Sequence, residues 1–244
     1  MTKADPPNWG KDELSKFFET AYENIFYTFV NHQEAYNVLS NIDRSYRLII
    51  DHLYNTPQWF AGFFLLRAHS SFRAAMRLAL SGQTTETFMV LRGCLENSLY
   101  GLYLSQNTAS QETWLKRHEN EDSYKKVKNE FRIRNLIDKS LKTKDVKLCA
   151  IFEKLYESTI NYGAHPNEKA LSLTLRKQHT DRKIRFDLDY LSGDSLVFKH
   201  CVTIAAEVGL CSLEVFKIIY KERFDILSLS DSLNLLKKKF KIFA

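Results

Sequence analysis

An all-α protein is predicted, an up-and-down helical bundle with one small β-hairpin near residues 171–190, and three features of the 244-residue sequence predict it. Only 8 Gly and 4 Pro occur, and long intervals contain neither, which favours helices over a many-turned β fold. In Thr84 to Leu104, TTETFMVLRGCLENSLYGLYL, the residues Phe88, Leu91, Leu95, Leu99 and Leu102 recur at spacings of three and four. That period marks one buried helical face, and the stretch reads as the central helix. An apolar content of 44%, with 13% aromatic residues, is that of a folded chain long enough to bury a core.

The elements follow in order. Residues 1–10 read as a flexible leader, because Pro6, Pro7 and Gly10 oppose a helix. Asp12 is placed to cap a first helix whose stripe is Phe17, Phe18, Ala21, Ile25, Phe26 and Phe29. A second helix is expected over 33–54, ended by Asn55-Thr56-Pro57, since proline disfavours helix in the residue before it. A third spans 58–81 and is closed by Gly82. The short connection to the central helix makes these two an antiparallel hairpin. Arg67, Arg73, Arg77 and Arg92 are then expected to meet Glu86 and Glu96 in a partly buried ion-pair network, because charge is buried when it is paired.

Residues 106–147 change character. The segment is highly charged, with a thin apolar stripe that includes Trp114, Val127, Phe131, Leu136 and Leu141, and it reads as a solvent-facing helical excursion, a lid or arm. Its Lys125, Lys126, Lys128, Arg132 and Arg134 are the first candidates for phosphate contact. A helix over 146–163 runs into Gly163-Ala164-His165-Pro166-Asn167, which places His165 at or just past a helix C-terminus, where a protonated imidazole is favoured. Beyond it Leu171, Leu173 and Leu175, then Ile184, Phe186, Leu188 and Tyr190, alternate with polar residues, and the polar KQHTDRK between them predicts the hairpin. A long apolar helix is expected over 194–222, and residues 226–244 read as a basic amphipathic C-terminal helix ending in Lys237, Lys238, Lys239 and Lys241.

Charge and motifs bound the function. The net charge is +6 and uneven: residues 1–115 hold 9 Lys/Arg against 11 Asp/Glu, and residues 116–244 hold 26 against 18. A basic half is compatible with an anionic partner such as RNA, and equally with solvated helix faces. No stretch has the apolar core of a signal peptide or the ~20 residues needed to span a bilayer, so a cytoplasmic protein without membrane insertion is expected. Cys94, Cys149, Cys201 and Cys211 have no zinc-type spacing and read as buried free thiols. There is no Walker loop, GxGxxG, GxSxG, HExxH or ExxH, so neither cofactor nor metal is expected.

Two stretches, LRGCLENSLYGLYL at 91–104 and LYESTINYGAHPN at 155–167, resemble an uncharacterised bacterial all-helical family related to the HEPN superfamily. The resemblance covers roughly residues 60–220 and implies a HEPN-like helical domain, here residues 11–225, that is often dimeric. It also implies a role in defence or stress systems such as antiphage and toxin–antitoxin pairs, acting on or binding RNA. HEPN ribonucleases are metal-independent and carry an Arg followed after four to six residues by a His. The His exchanges the proton of the attacking 2′-hydroxyl or the leaving oxygen, and the Arg stabilises the charged phosphorane. His165 falls on the His position, whereas the positions for the Arg hold Ser158, Thr159 and Ile160. Arg92 is the substitute if the central helix packs on the 146–163 helix, with Glu96, Tyr156, Asn161 and Tyr162 lining the same site. Three functions stay open: a ribonuclease using His165, Arg92 and Glu96; a non-catalytic module binding RNA or a partner protein; and a regulatory interaction protein.

Overall fold

The computed structural model describes residues 6–164, 168–180 and 183–240. The fold is all-α with one two-stranded antiparallel hairpin, as the sequence predicts. Helix α1 (Glu13–Asn31) starts at Asp12, whose carboxylate accepts from the backbone N–H groups of Leu14 and Ser15, satisfying two of the donors that a helix start leaves open. Helix α2 (Gln33–Asp51) follows directly at His32. Helices α3 (Trp59–Ser81) and α4 (Thr84–Ser105) are the expected hairpin. Gly82 closes α3 with φ +91°, a left-handed conformation that glycine adopts without strain. A side chain at Gly82 would also collide with the backbone of Ser192, whose N–H donates to the Gly82 carbonyl at 2.8 Å. The turn thereby anchors the segment that leads from the hairpin to the last long helix.

That helix, α11 (Leu196–Ile219), is capped by the Ser195 hydroxyl and packs against α2, α3 and α4. The core lies among these four helices, with Ile42, Ile49, Phe72, Leu91, Leu95, Leu99 and Phe216 wholly buried. The four cysteines are free and buried, Cys94 on α4, Cys201 and Cys211 on α11, and Cys149 in the segment between them. Helix α12 (Lys221–Ile226) and α13 (Leu229–Phe240) follow it. The tail helix is docked rather than free, because Leu229 and Leu233 are buried and Lys237 pairs with Glu214 of α11. Lys241 lies outside the described residues.

After α4 the chain makes a run of short elements. These are α5 (Thr108–Leu115), α6 (Glu121–Glu130), α7 (Ile133–Leu136), a π-helical turn Ile137–Leu141, and α8 (Lys142–Lys144). Asn107 and Asn120 cap α5 and α6. The thin apolar stripe of this segment is part of the common core: Val127, Phe131, Leu136, Ile137 and Leu141 are all buried. The charged face meets solvent, together with Leu115 and Tyr124.

Helix α9 (Val146–Thr159), capped by Asp145, runs straight into a second π-helical turn, Ile160–Ala164. Helix α10 (Glu168–Thr174) then precedes β1 (Leu175–Thr180) and β2 (Lys183–Leu188), which pair in register from Leu175 opposite Leu188 to Thr180 opposite Lys183. Here the prediction near 171–190 is corrected at its start: residues 171–174 are helical and pairing begins at Leu175. The alternation of Leu171, Leu173 and Leu175 is too short to exclude a helix, and Glu168 in the first turn favours one.

A candidate polar site on the central helix

The site is built on α4, where Arg92 and Glu96 are four residues apart and so neighbours on the helix surface. The Arg92 Nε donates to Glu96 Oε1 at 2.7 Å, and each side chain is 31% exposed. Tyr156 of α9 joins them: its hydroxyl donates to the same Oε1 at 2.9 Å. The Arg92 guanidinium lies 5.4 Å from the centre of the Tyr156 ring, within cation–π range. Phe152, wholly buried, stacks beneath that ring at 6.2 Å. Burial, reinforced by the nearby Glu96 carboxylate, pushes the Tyr156 phenol well above its ordinary value, so it remains a donor. Burial opposes the charge on Arg92, but Glu96 outweighs it and raises its pKa.

Of the five residues expected to line one site if α4 packs on α9, Arg92, Glu96 and Tyr156 lie together. The other two pocket residues go elsewhere. Asn161 donates to Glu157, one turn before it, at 3.4 Å. Tyr162 is turned by the π-helical segment to pack on Phe88 of α4, with ring centres 5.3 Å apart, and on His200 of α11, at 5.6 Å. His165 lies outside the described residues. Gly163, two residues earlier, shows how this stretch meets α4. A Cβ there would stand 2.7 Å from the Thr85 carbonyl oxygen and 2.8 Å from the Met89 nitrogen, so only glycine lets the segment lie flat on the helix.

Beside Tyr156 opens a cleft of about 320 Å³ between α7 and α9. Its polar lining is one cation, Arg134, against three carboxylates, Asp138, Glu153 and Glu157. Such a lining repels a phosphate. The other predicted contacts for an anion, Lys125, Lys126, Lys128 and Arg132, are exposed on α6 and at the start of α7. Lys125 also reaches Glu121 at 3.0 Å, and Arg132 reaches Asn129 at 3.0 Å. Tyr124 is partly exposed beside these lysines, with the Arg117 guanidinium 5.4 Å from its ring centre.

A second polar cluster was not expected. Asp43 of α2 accepts from Arg73 of α3 through both carboxylate oxygens, at 2.6 and 2.8 Å, and pairs with His69 Nε2 at 2.7 Å. His69 is nearly buried and stacks on the wholly buried Tyr46 at 5.1 Å. Thus Arg73 takes an acid from α2, Glu86 is exposed, and Arg67 and Arg77 make no ion pair among the described residues. Of the predicted network only Arg92–Glu96 forms. The signal for the rest was Asp43 itself, an acid between the core positions Ile42 and Tyr46.

Among the described residues no group of three His, Cys, Asp or Glu side chains is placed to hold a metal ion. No helix there is long and apolar enough to cross a membrane. Compared with protein-family models, with curated proteins and with solved structures, the chain matches none.

Proposed function

We propose that this chain is a HEPN-like protein of a defence or stress system that binds RNA without cleaving it. The observation that carries this reading is the exposed basic row Lys125, Lys126, Lys128 and Arg132 on α6 and the start of α7, with Tyr124 beside it. Cations of this kind attract phosphates, and an exposed aromatic ring gives an unpaired base a face to stack on. Two features weigh against catalysis. The positions for the family's arginine hold Ser158, Thr159 and Ile160, and the candidate substitute, Arg92, is already engaged by Glu96.

The test is binding of a fluorescently labelled single-stranded RNA, followed by anisotropy over a salt series. Affinity should fall steeply with salt, as expected when several phosphate contacts release counterions. Lys125→Gln, Lys126→Gln and Lys128→Gln combined should weaken binding and flatten the slope by about 2. Binding that ignores salt, or that survives the triple substitution, overturns the reading.

The ribonuclease reading has one observation in its favour. Arg92 and Glu96, three and seven residues past Met89 on α4, are joined by Tyr156 of α9 close to where Gly163 packs. RNA cleavage lost in His165→Ala with unchanged thermal stability would establish it, and equal cleavage by that variant would remove it.

A further inference from the structure

Ahead of α1 the chain folds back and builds one wall of a groove. The Trp9 N–H donates to the Pro6 carbonyl at 3.1 Å, and the Gly10 N–H donates to the Ser15 hydroxyl at 3.0 Å. Asn8 and Gly10 take left-handed backbone, with φ +72° and +78°, which these two residue types tolerate best. The turns lay the Trp9 ring beside Phe18, with centres 6.4 Å apart and planes within 12° of parallel. Phe18 leans on Phe17 at 5.8 Å, and Phe17 meets Tyr190 edge-on at 6.4 Å. Each ring of the row is thus held by the next.

The other wall is the last part of α3. Helix α1 is pinned to it by the Thr28 hydroxyl, which donates to the Leu80 carbonyl, and by the Asn24 amide, which donates to the Ser81 carbonyl, both at 3.0 Å. Between the walls lies a groove of about 750 Å³, with Trp9, Phe17, Phe18 and Tyr22 on one side and Ala74 and Arg77 of α3 on the other. Sites for small molecules have about 300–1,000 Å³ and combine apolar walls with a few polar groups. Trp9, Phe18 and Tyr22 are 43%, 48% and 62% exposed, so their rings are open to a ligand. Arg77 is the one charged residue of the lining, and it makes no ion pair among the described residues. Helix α3 contains no acid, and Glu19 stands outside the groove, against Gly10.

We infer that this groove binds a small aromatic carboxylate. The flat ring of the ligand extends the Trp9–Phe18 stack, and the Arg77 fork donates to both carboxylate oxygens. The charge of the lining selects the class: a cation is repelled by Arg77, and a neutral aromatic leaves the guanidinium without a partner. An aliphatic acid satisfies Arg77 but gives up the stacking. The groove shares no residue with the basic row of α6, so it is a site apart from RNA binding.

The test is isothermal titration calorimetry of the full-length chain at pH 7.5 with 2-naphthoate, its neutral counterpart 2-naphthylmethanol, and decanoate. The naphthoate should bind about tenfold more tightly than the alcohol, the value of one charge-assisted hydrogen-bonded contact, and more tightly than decanoate. Arg77→Gln should bring the acid down to the affinity of the alcohol. Trp9→Ala should weaken both naphthalene compounds alike. Both substitutions fall at exposed positions and should leave circular dichroism and Tm unchanged. Absence of naphthoate binding at millimolar concentration, equal affinity for acid and alcohol, decanoate bound as tightly as naphthoate, or either variant binding like the wild type would each overturn the inference.

Discussion

Tyr156 donates to Glu96 at 2.9 Å across sixty residues of chain, and so ties α9 to the polar face of the central helix. Glu96 Oε1 receives both this bond and the one from Arg92, which makes the carboxylate the hub of the cluster. Removing the phenol's donor leaves the Arg92 pair and the ring packing in place.

Tyr156→Phe is therefore expected to lower stability by about 1 kcal/mol, the net value of a half-buried hydrogen bond. In a domain of this size that is roughly 2–4 °C in Tm. Urea unfolding of the two proteins checks it. A difference below about 0.3 kcal/mol would mean that Tyr156 and Glu96 are joined too weakly to hold α9 in place.

The cluster shows what sequence reading reaches and where it stops. Arg92 and Glu96 were legible because one helix fixes their spacing of four, and the apolar residues around them identify that helix. Tyr156 was legible only as a candidate, since its partner depends on how two helices separated by a long charged segment pack. Tyr162 escaped because a π-helical turn rotates the chain after Thr159, so a residue expected beside Tyr156 faces Phe88 and His200 instead. In 106–147, Leu136 and Leu141 belong to too sparse a pattern to signal burial, yet both are wholly buried. Asp43 failed for another reason: its two partners lie 26 and 30 residues away on α3, and no local rule links them.

The Asp43 cluster predicts acid sensitivity. Hydrogen bonding to Arg73, helped by His69 and opposed by burial, holds the Asp43 carboxyl below its ordinary value. Burial lowers His69 as well, and this outweighs the pull of Asp43 in the other direction. Both groups bind protons less readily in the folded chain than in the unfolded one, so both favour folding above their unfolded pKa values. As pH falls below about 6.5 the His69 contribution is lost first, and that of Asp43 follows below about 4. Midpoints of urea unfolding measured from pH 7.5 to pH 4.5 should decline in the wild type and decline less in His69→Gln. Superimposable pH profiles for the two proteins would show that His69 is not the group that titrates.

Gly163 gives the last prediction, and it bears on which function is correct. A methyl group at this position would press on the Thr85 carbonyl, the Phe88 Cβ and the Met89 nitrogen, all at 2.7–2.8 Å. Two of those contacts are backbone atoms of a central helix, which has no room to withdraw, so the segment 160–164 must move instead. The strain is that of overpacking, about 1–3 kcal/mol. Gly163→Ala should lower the Tm accordingly and detach the Tyr162 ring from Phe88 and His200, which is visible as a shift in the His200 ring resonances. The basic row on α6 lies on separate elements and should keep its RNA affinity. If the protein cleaves RNA through His165, the same variant should lose cleavage while still binding, because the displaced segment leads directly into that histidine. Loss of binding together with cleavage would place the RNA contact on the 160–164 segment rather than on Lys125, Lys126 and Lys128.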